Sequence, residues 1–407
     1  MENRTHRRGL TRTVTAASLF MVPALALTAC GGGSFSTDAG DGDGGSDTPF
    51  KIGLIAPLTG VASLEGNSML QGFELGIERV NEAGGIMGQD VELIVLDDAS
   101  EAATSTQMAQ RLVREEQVDY IFGTIAGDTT AAVASVAADA GIPFSSAIMG
   151  IVPSCSPHFW PFGVTEPMVL DAIVPEMVET WGPKVAFAGN DYLFPREFAD
   201  AARSALESAG GEFVVEEYSP LGTSDWQPVI TKMQNADPDW ILTAVVGGDA
   251  VAFTQQAEQF GLLEDRGFTG TTHQQEFYGA ISSALDGTLA VLPYTDQLTD
   301  PANEEFVTEY RETYDFTDPI PAVAATSYMA AQFIAGAVTA AGSYDAEAIS
   351  AEMAQTESEG VLGGGSFDPE THMWAQNMYL IEIQENGTYS LVEDLGLVSD
   401  PQPRSCA

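Results

Sequence analysis

Between residues 50 and 273 the sequence runs from strand to helix again and again, with no hairpin turn to break the series. The stretch FKIGLIAPL, from Phe50, is short and continuously apolar, the pattern of a strand buried on both faces of a parallel sheet. Over 68–83, Met69, Phe73, Ile77 and Val80 recur at helical spacing until Gly84-Gly85 stops the helix. VELIVLDD (91–98), a helix over 102–116, YIFG (120–123), a helix from Thr129 and IPFSSA (142–147) continue the rhythm. Strands that alternate with helices in this way form an α/β layer around a parallel sheet.

A Pro-rich patch over 153–167 interrupts, and the design then restarts. A helix to Trp181, KVAFAG (184–189), a helix from Pro195, GEFVVEEY (211–218) and a helix over 226–236 come first. WILTAVVG (240–247), a helix to Phe260, FTGTTH (268–273) and TLAVLPYTD (288–296) follow. Helices dominate from there to about Met353, among them an apolar core helix over 322–341 that is interrupted by Thr326, Ser327, Gln332 and Gly336. Two strands, 378–383 and 388–394, close the chain around a turn at Asn386-Gly387. The expectation is two similar α/β lobes, 49–164 plus 296–362 and 165–295 plus 363–407, with linking segments near 161–167 and 291–296. Ligands of open parallel sheets sit beyond the carboxyl ends of the strands, and here two such edges face one cleft.

Residues 1–29 read as an export signal: a basic start, then an apolar stretch from Val14 ending in small residues. It is too short to cross roughly 30 Å of hydrocarbon. Leu27-Thr28-Ala29-Cys30 resembles the bacterial lipoprotein box, which implies cleavage before Cys30 and lipid on that residue. The Gly/Ser/Asp run over 30–48 is a flexible tether; Asp38, Asp41, Asp43 and Asp47 lack the ligand spacing of a calcium loop. The other two cysteines, Cys155 and Cys406, would then meet an oxidising compartment, where pairing is expected. With 59 acidic residues against 15 Lys or Arg, the formal charge is −44, which repels nucleic acid and anionic lipid. Either a salt-rich habitat or selection for solubility accounts for such acidity.

Catalytic signatures are absent: no G-x-S-x-G, H-E-x-x-H, Walker loop or C-x-x-C occurs. Four His in 407 residues offer little to a metal, and nothing calls for a cofactor. The polar residues of interest stand at strand ends. Gly127, Asp128, Thr129 and Thr130 open a helix, whose free N–H groups either hold a ligand oxygen or are simply capped. Ser145 and Ser146 end the next strand and need partners, from a ligand or a neighbouring loop. Tyr192, Phe194 and Asp249 follow strands of the second lobe.

Taken together, KIGLIAPLTG and QGFELGIERVNEAGGIMGQDVELIVLDDAS resemble the start of the type 1 periplasmic binding proteins, the solute receptors of ABC importers, in their branched-chain amino acid, urea and short-chain amide branch. GNDYLFPREF (189–198) and YSPLGTSDWQPVITKMQNADPDWILTAVVG (218–247) are similar to urea- and amide-binding members, which carry Tyr-x-aromatic-Pro-Arg-Glu. The likeness spans residues 50–395. It implies two Rossmann-like lobes on a multi-segment hinge, closing on a ligand and docking on a membrane permease, without turnover. Carried over by motif, the ligand contacts are Glu65, Ala126, Gly127, Thr129, Ser145, Ser146 and Ala147 on the first lobe, and Tyr192, Phe194, Asp249, His273 and Gln274 on the second. Gly127 stands where relatives have Ser, Ile125-Ala126-Gly127 replaces the Trp-Thr-Ser of urea receptors, and Phe194 replaces a Tyr. The implied ligand is a small polar solute, urea or a short-chain amide first, with branched-chain or other amino acids as the alternative. A secreted hydrolase is the remaining competitor.

Overall fold

The computed structural model describes residues 48–148 and 156–401. The expected signal, Cys30 with its tether, and the Cys155–Cys406 pair lie outside the described residues. The first lobe opens with β1 (Lys51–Ala56), α1 (Ser63–Glu82), β2 (Glu92–Asp97), α2 (Ala102–Arg111), β3 (Tyr120–Gly123), α3 (Gly127–Ala140) and β4 (Phe144–Ser145). The second carries α4 (Glu166–Trp181), β5 (Lys184–Asn190), α5 (Leu193–Ala209), β6 (Glu212–Ser219), α6 (Gln227–Ala236), β7 (Trp240–Ala244), α7 (Gly247–Gln259), β8 (Gly267–Gly270), α8 (Tyr278–Leu285) and β9 (Leu289–Leu292). Then come α9 (Pro301–Tyr314), α10 (Ala322–Ala341), α11 (Ala346–Met353), β10 (Glu357–Gly360), β11 (Gly363–Phe367), β12 (Trp374–Ile383) and β13 (Tyr389–Val398).

Both lobes have the same sheet. The first is ordered β2-β1-β3-β4 and the second β6-β5-β7-β8, and every pairing within them is parallel. Continuous burial of KIGLIA and WILTA follows from helices covering both faces. A third, antiparallel sheet runs β10-β11-β12-β13, with β9 also paired to β12. Residues 288–296 therefore continue neither parallel sheet. The predicted strand at 142–147 is shorter than expected: only Phe144 and Ser145 pair with β3. The β10–β11 hairpin was not foreseen, because EGVLGGGSF has neither alternation nor bulk.

The apolar helix α10 is a core helix, as expected, with most of its length buried. It packs along α1, and the approach depends on two glycines: a Cβ on Gly72 would run into the Ala324 carbonyl, and one on Gly76 would lie 2.6 Å from the Tyr328 carbonyl oxygen. This fixes α1 and the residues it presents to the cleft.

The chain passes three times between the lobes' hydrophobic cores. Phe162 belongs to the first core and Val164 to the second; Leu292 lies in the second and Tyr294 in the first. Phe367 and Trp374 still pack in the first core, whereas Met378 packs in the second. Packing thus changes from the first core to the second between 374 and 378, along β12, one unbroken strand that serves both lobes.

Candidate functional site

The carboxyl ends of the two parallel sheets converge on a cleft lined by Val61, Ala62, Glu65, Ser100, Ile125, Ala126 and Gly127 from the first lobe's loops and helix starts. Ile148, Tyr192, Phe194, Leu221, Val246, Thr271, Gln274 and Phe277 complete it. The loop after β1 that carries Val61 is ordered by Asp97. Its carboxylate accepts from the N–H of Leu58 (3.0 Å), Thr59 (3.3 Å) and Ala99 (2.8 Å) and from the Thr59 hydroxyl (2.7 Å). Burial pulls the Asp97 carboxyl upward, but these donors outweigh it and hold the group below the usual range.

Glu65, in the first turn of α1, is the polar centre of the cleft. Gly247 N–H, at the start of α7 in the other lobe, donates to its Oε1 at 3.1 Å, and Gly248 N–H donates to Val61 O at 3.2 Å. The lobes therefore touch through a helix N-terminus, where unpaired N–H groups favour negative charge. The side chain is 3% exposed, and its Oε2 has no partner. Burial is the main reason its carboxyl is raised from 4.5 to about 7; its own N–H and that of Gly247 oppose the rise. None of the described lining residues is Lys, Arg or His.

Across from Glu65, α3 begins at Gly127. Thr129 Oγ1 donates to Ala126 O at 2.8 Å, and Thr130 Oγ1 approaches the same oxygen at 2.9 Å. These hydroxyls are turned into their own helix start. Tyr192 and Phe194 form an aromatic wall, with ring centroids 6.3 Å apart. Burial, followed by the charges of Asp128 and Glu65, pushes the Tyr192 phenol up, so it remains a neutral hydrogen-bonding group.

Of the residues expected from sequence, Glu65, Ala126, Gly127, Tyr192, Phe194 and Gln274 come together at this cleft. Ala147 lines a neighbouring cavity at the hinge, as does Gln274. The others stand behind the walls. Thr129 turns its hydroxyl back to the Ala126 carbonyl, and Ser145 Oγ pairs with the Tyr120 hydroxyl at 2.7 Å. Ser146 is buried and accepts Phe162 N–H on its carbonyl at 2.7 Å. Asp249 Oδ2 accepts from Asn190 Nδ2 (2.7 Å) and Gly222 N–H (2.8 Å), bracing the loop that presents Leu221. His273 is buried edge-on against Phe268, and burial lowers its imidazole to about 3. Sequence reasoning missed the apolar wall of Val61, Ile125, Ile148, Leu221, Val246 and Phe277, which carries no signal apart from its place after strands.

A cleft with one carboxyl, an aromatic wall and a helix start, but no paired nucleophile and base, is suited to holding a small molecule. The comparisons agree. A Leu/Ile/Val-binding protein homolog of Brucella suis is 24% identical over 377 residues, covering 86% of this chain and 93% of its own length. A Rhodopseudomonas palustris solute-binding protein solved with benzoate superposes with a TM-score of 0.78 at 21% identity, over 87% of this chain and 98% of its own. A Streptococcus pneumoniae branched-chain amino acid transporter substrate-binding protein solved with isoleucine gives 0.76 at 23%, over 87% and 100%. Residues 49–388 match the periplasmic binding protein family, and this chain is a member of it.

Proposed function

We propose that this protein is the exported, membrane-tethered solute receptor of an ABC importer, and that its ligand is an amino acid with an apolar side chain. The observation that carries the ligand class is Glu65: a buried carboxyl whose Oε2 lacks a partner, in a cleft with no basic side chain among its described lining residues. An ammonium group satisfies that oxygen and draws the carboxyl into its charged form. The start of α3 offers N–H groups to a carboxylate, and the wall of Ile125, Tyr192, Phe194 and Phe277 covers an aliphatic or aromatic body. Urea has no apolar surface for that wall, so the lining supports the amino acid over the urea or short-chain amide expected from sequence. Benzoate, bound by one solved relative, has no cation to offer Glu65.

The lobe contact at Gly247 and Val61 gives the ligand a means of action. A ligand that touches both lobes favours their contact by its preference for that state, and the joined form is what a permease recognises. In this reading Cys30 carries the lipid, and the tether holds the acidic body off the membrane.

Calorimetric titration with Leu, Ile, Val, Phe, benzoate, urea and acetamide tests the proposal. Saturable binding of the apolar amino acids is expected, weakened about tenfold or more by Glu65→Gln, the loss of one charge-assisted contact. Binding of benzoate or urea alone would overturn the ligand class, and hydrolysis of any amide would overturn the receptor role. Membrane partitioning that survives Cys30→Ala would remove the anchor.

A further inference from the structure

Beside the ligand cleft, on the hinge side, lies a second cavity to which all three interlobe crossings contribute: 162–164 from the first, 290–293 from the second and Gln376 from the third. Ile148, Thr271 and Gln274 line both spaces and form the wall between them. Most of the remaining surface is apolar, with Leu170, Leu242 and Val323 facing in.

Three of the polar side chains of this cavity are paired within the protein. Thr269 Oγ1 donates to Leu289 O (2.8 Å) and Thr271 Oγ1 to Val245 O (2.7 Å). Gln275 Nε2 donates to Tyr294 O (3.2 Å), and its Oε1 accepts from Ala322 N–H (3.2 Å). Gln376 is 1% exposed, and neither its Nε2 nor its Oε1 has a partner. It sits on the buried face of β12 between Trp374 and Met378, where a Leu or Met would pack without penalty. An amide buried with both ends unpaired is costly unless something completes it.

We propose that the hinge cavity is a second small-molecule site, taking a compact neutral molecule with an apolar body and a primary amide or un-ionised carboxylic acid head that pairs with the Gln376 side chain through two hydrogen bonds. An amide presents a donor and an acceptor side by side, and such a head returns the complementary pair in one plane. The surroundings select for neutrality. No Lys, Arg or His lines the cavity among the described residues, and the carboxyl that does, Glu276, is raised to about 8, chiefly by burial and then by Glu65. At neutral pH it is a largely uncharged donor, and an anion finds no counter-charge.

The position gives the occupant a consequence. Because each crossing contributes to the wall, the cavity changes shape whenever the lobes turn about the hinge. A molecule that fits it in the joined form binds that form better and shifts the balance toward it, with reciprocal coupling to whatever fills the cleft. This does not depend on the ligand proposed for the cleft, since the site and the probes are different.

The test is titration of the full chain with isobutyramide and benzamide by calorimetry, alongside nitrogen-15 spectra of side-chain amides. The Gln376 NH2 pair is assigned by its disappearance in Gln376→Leu. Saturable one-to-one binding is expected, with the Gln376 pair shifting along the titration and an affinity loss of tenfold or more in Gln376→Leu. Val291→Trp, which fills the space, should abolish binding. Should Val291→Trp fail to fold, Gln376→Leu still decides, because removing an unpaired buried amide should leave the melting temperature equal or higher. No saturable binding, an unmoved Gln376 pair or unchanged affinity in Gln376→Leu would each overturn the proposal.

Discussion

Glu65 concentrates at one residue what the cleft does. Its carboxyl rises from 4.5 to about 7 because burial costs a charge more than the Gly247 N–H returns. A carboxyl raised on folding binds its proton more tightly in the folded state. Its contribution to stability is therefore fully present below about pH 4.5 and is lost as pH rises through 7. The difference amounts to about 3 kcal/mol. Glu65→Gln should remove this term, so urea unfolding at pH 5 and pH 8 should show wild type losing about 3 kcal/mol relative to the variant across that interval. Part of the change passes through Glu276, whose own rise includes the Glu65 charge. A difference between the two proteins that does not vary with pH would refute the account. Glu65 was legible from sequence only through family resemblance, since its weight comes from an interlobe contact 182 residues away. Ser145 and Asp249 were legible as polar strand-end residues, but strand ends also need internal bracing, and Tyr120, Asn190 and Gly222 claim them.

At the level of elements, the pairing of α1 with α10 sets where Glu65 stands. The Gly72 and Gly76 positions admit the α10 backbone so closely that one added methyl meets a carbonyl. Gly72→Ala gains a little helix propensity, ~1 kcal/mol, against overpacking of typically 1–3 kcal/mol or more in a buried seam. Net destabilisation with weakened ligand binding is expected, read as a lower denaturation midpoint and a higher dissociation constant. A variant as stable as wild type would mean that the seam gives way freely. The two parallel sheets were readable because both-face burial writes itself as unbroken apolar runs, KIGLIA and WILTA among them. The hinge sheet was not, because GGGSF owes its strand to partners on β10 and β12 and has no pattern of its own.

For the molecule as a whole, the charge of −44 is the largest unbalanced quantity. The described ion pairs, such as those of Arg79 with Glu305 (2.9 Å) and Glu309 (2.7 Å), are at least partly exposed and contribute little each. Repulsion among the remaining carboxylates therefore exceeds local attraction, and it acts on the compact state more than on the extended chain. Salt shortens the reach of that repulsion from ~10 Å at 0.1 M to ~3 Å at 1 M. The melting temperature should thus climb over this range, in potassium chloride as in sodium chloride, since screening needs ionic strength and no particular cation. An amino acid with an apolar side chain carries no net charge at neutral pH, so the same salt should leave its association rate nearly unchanged. Stopped-flow association and dissociation rates, taken at both salt concentrations, check this. A melting temperature that falls with salt would show that the few ion pairs outweigh the excess of carboxylates, and the acidity would then need an explanation other than tolerance of ionic strength.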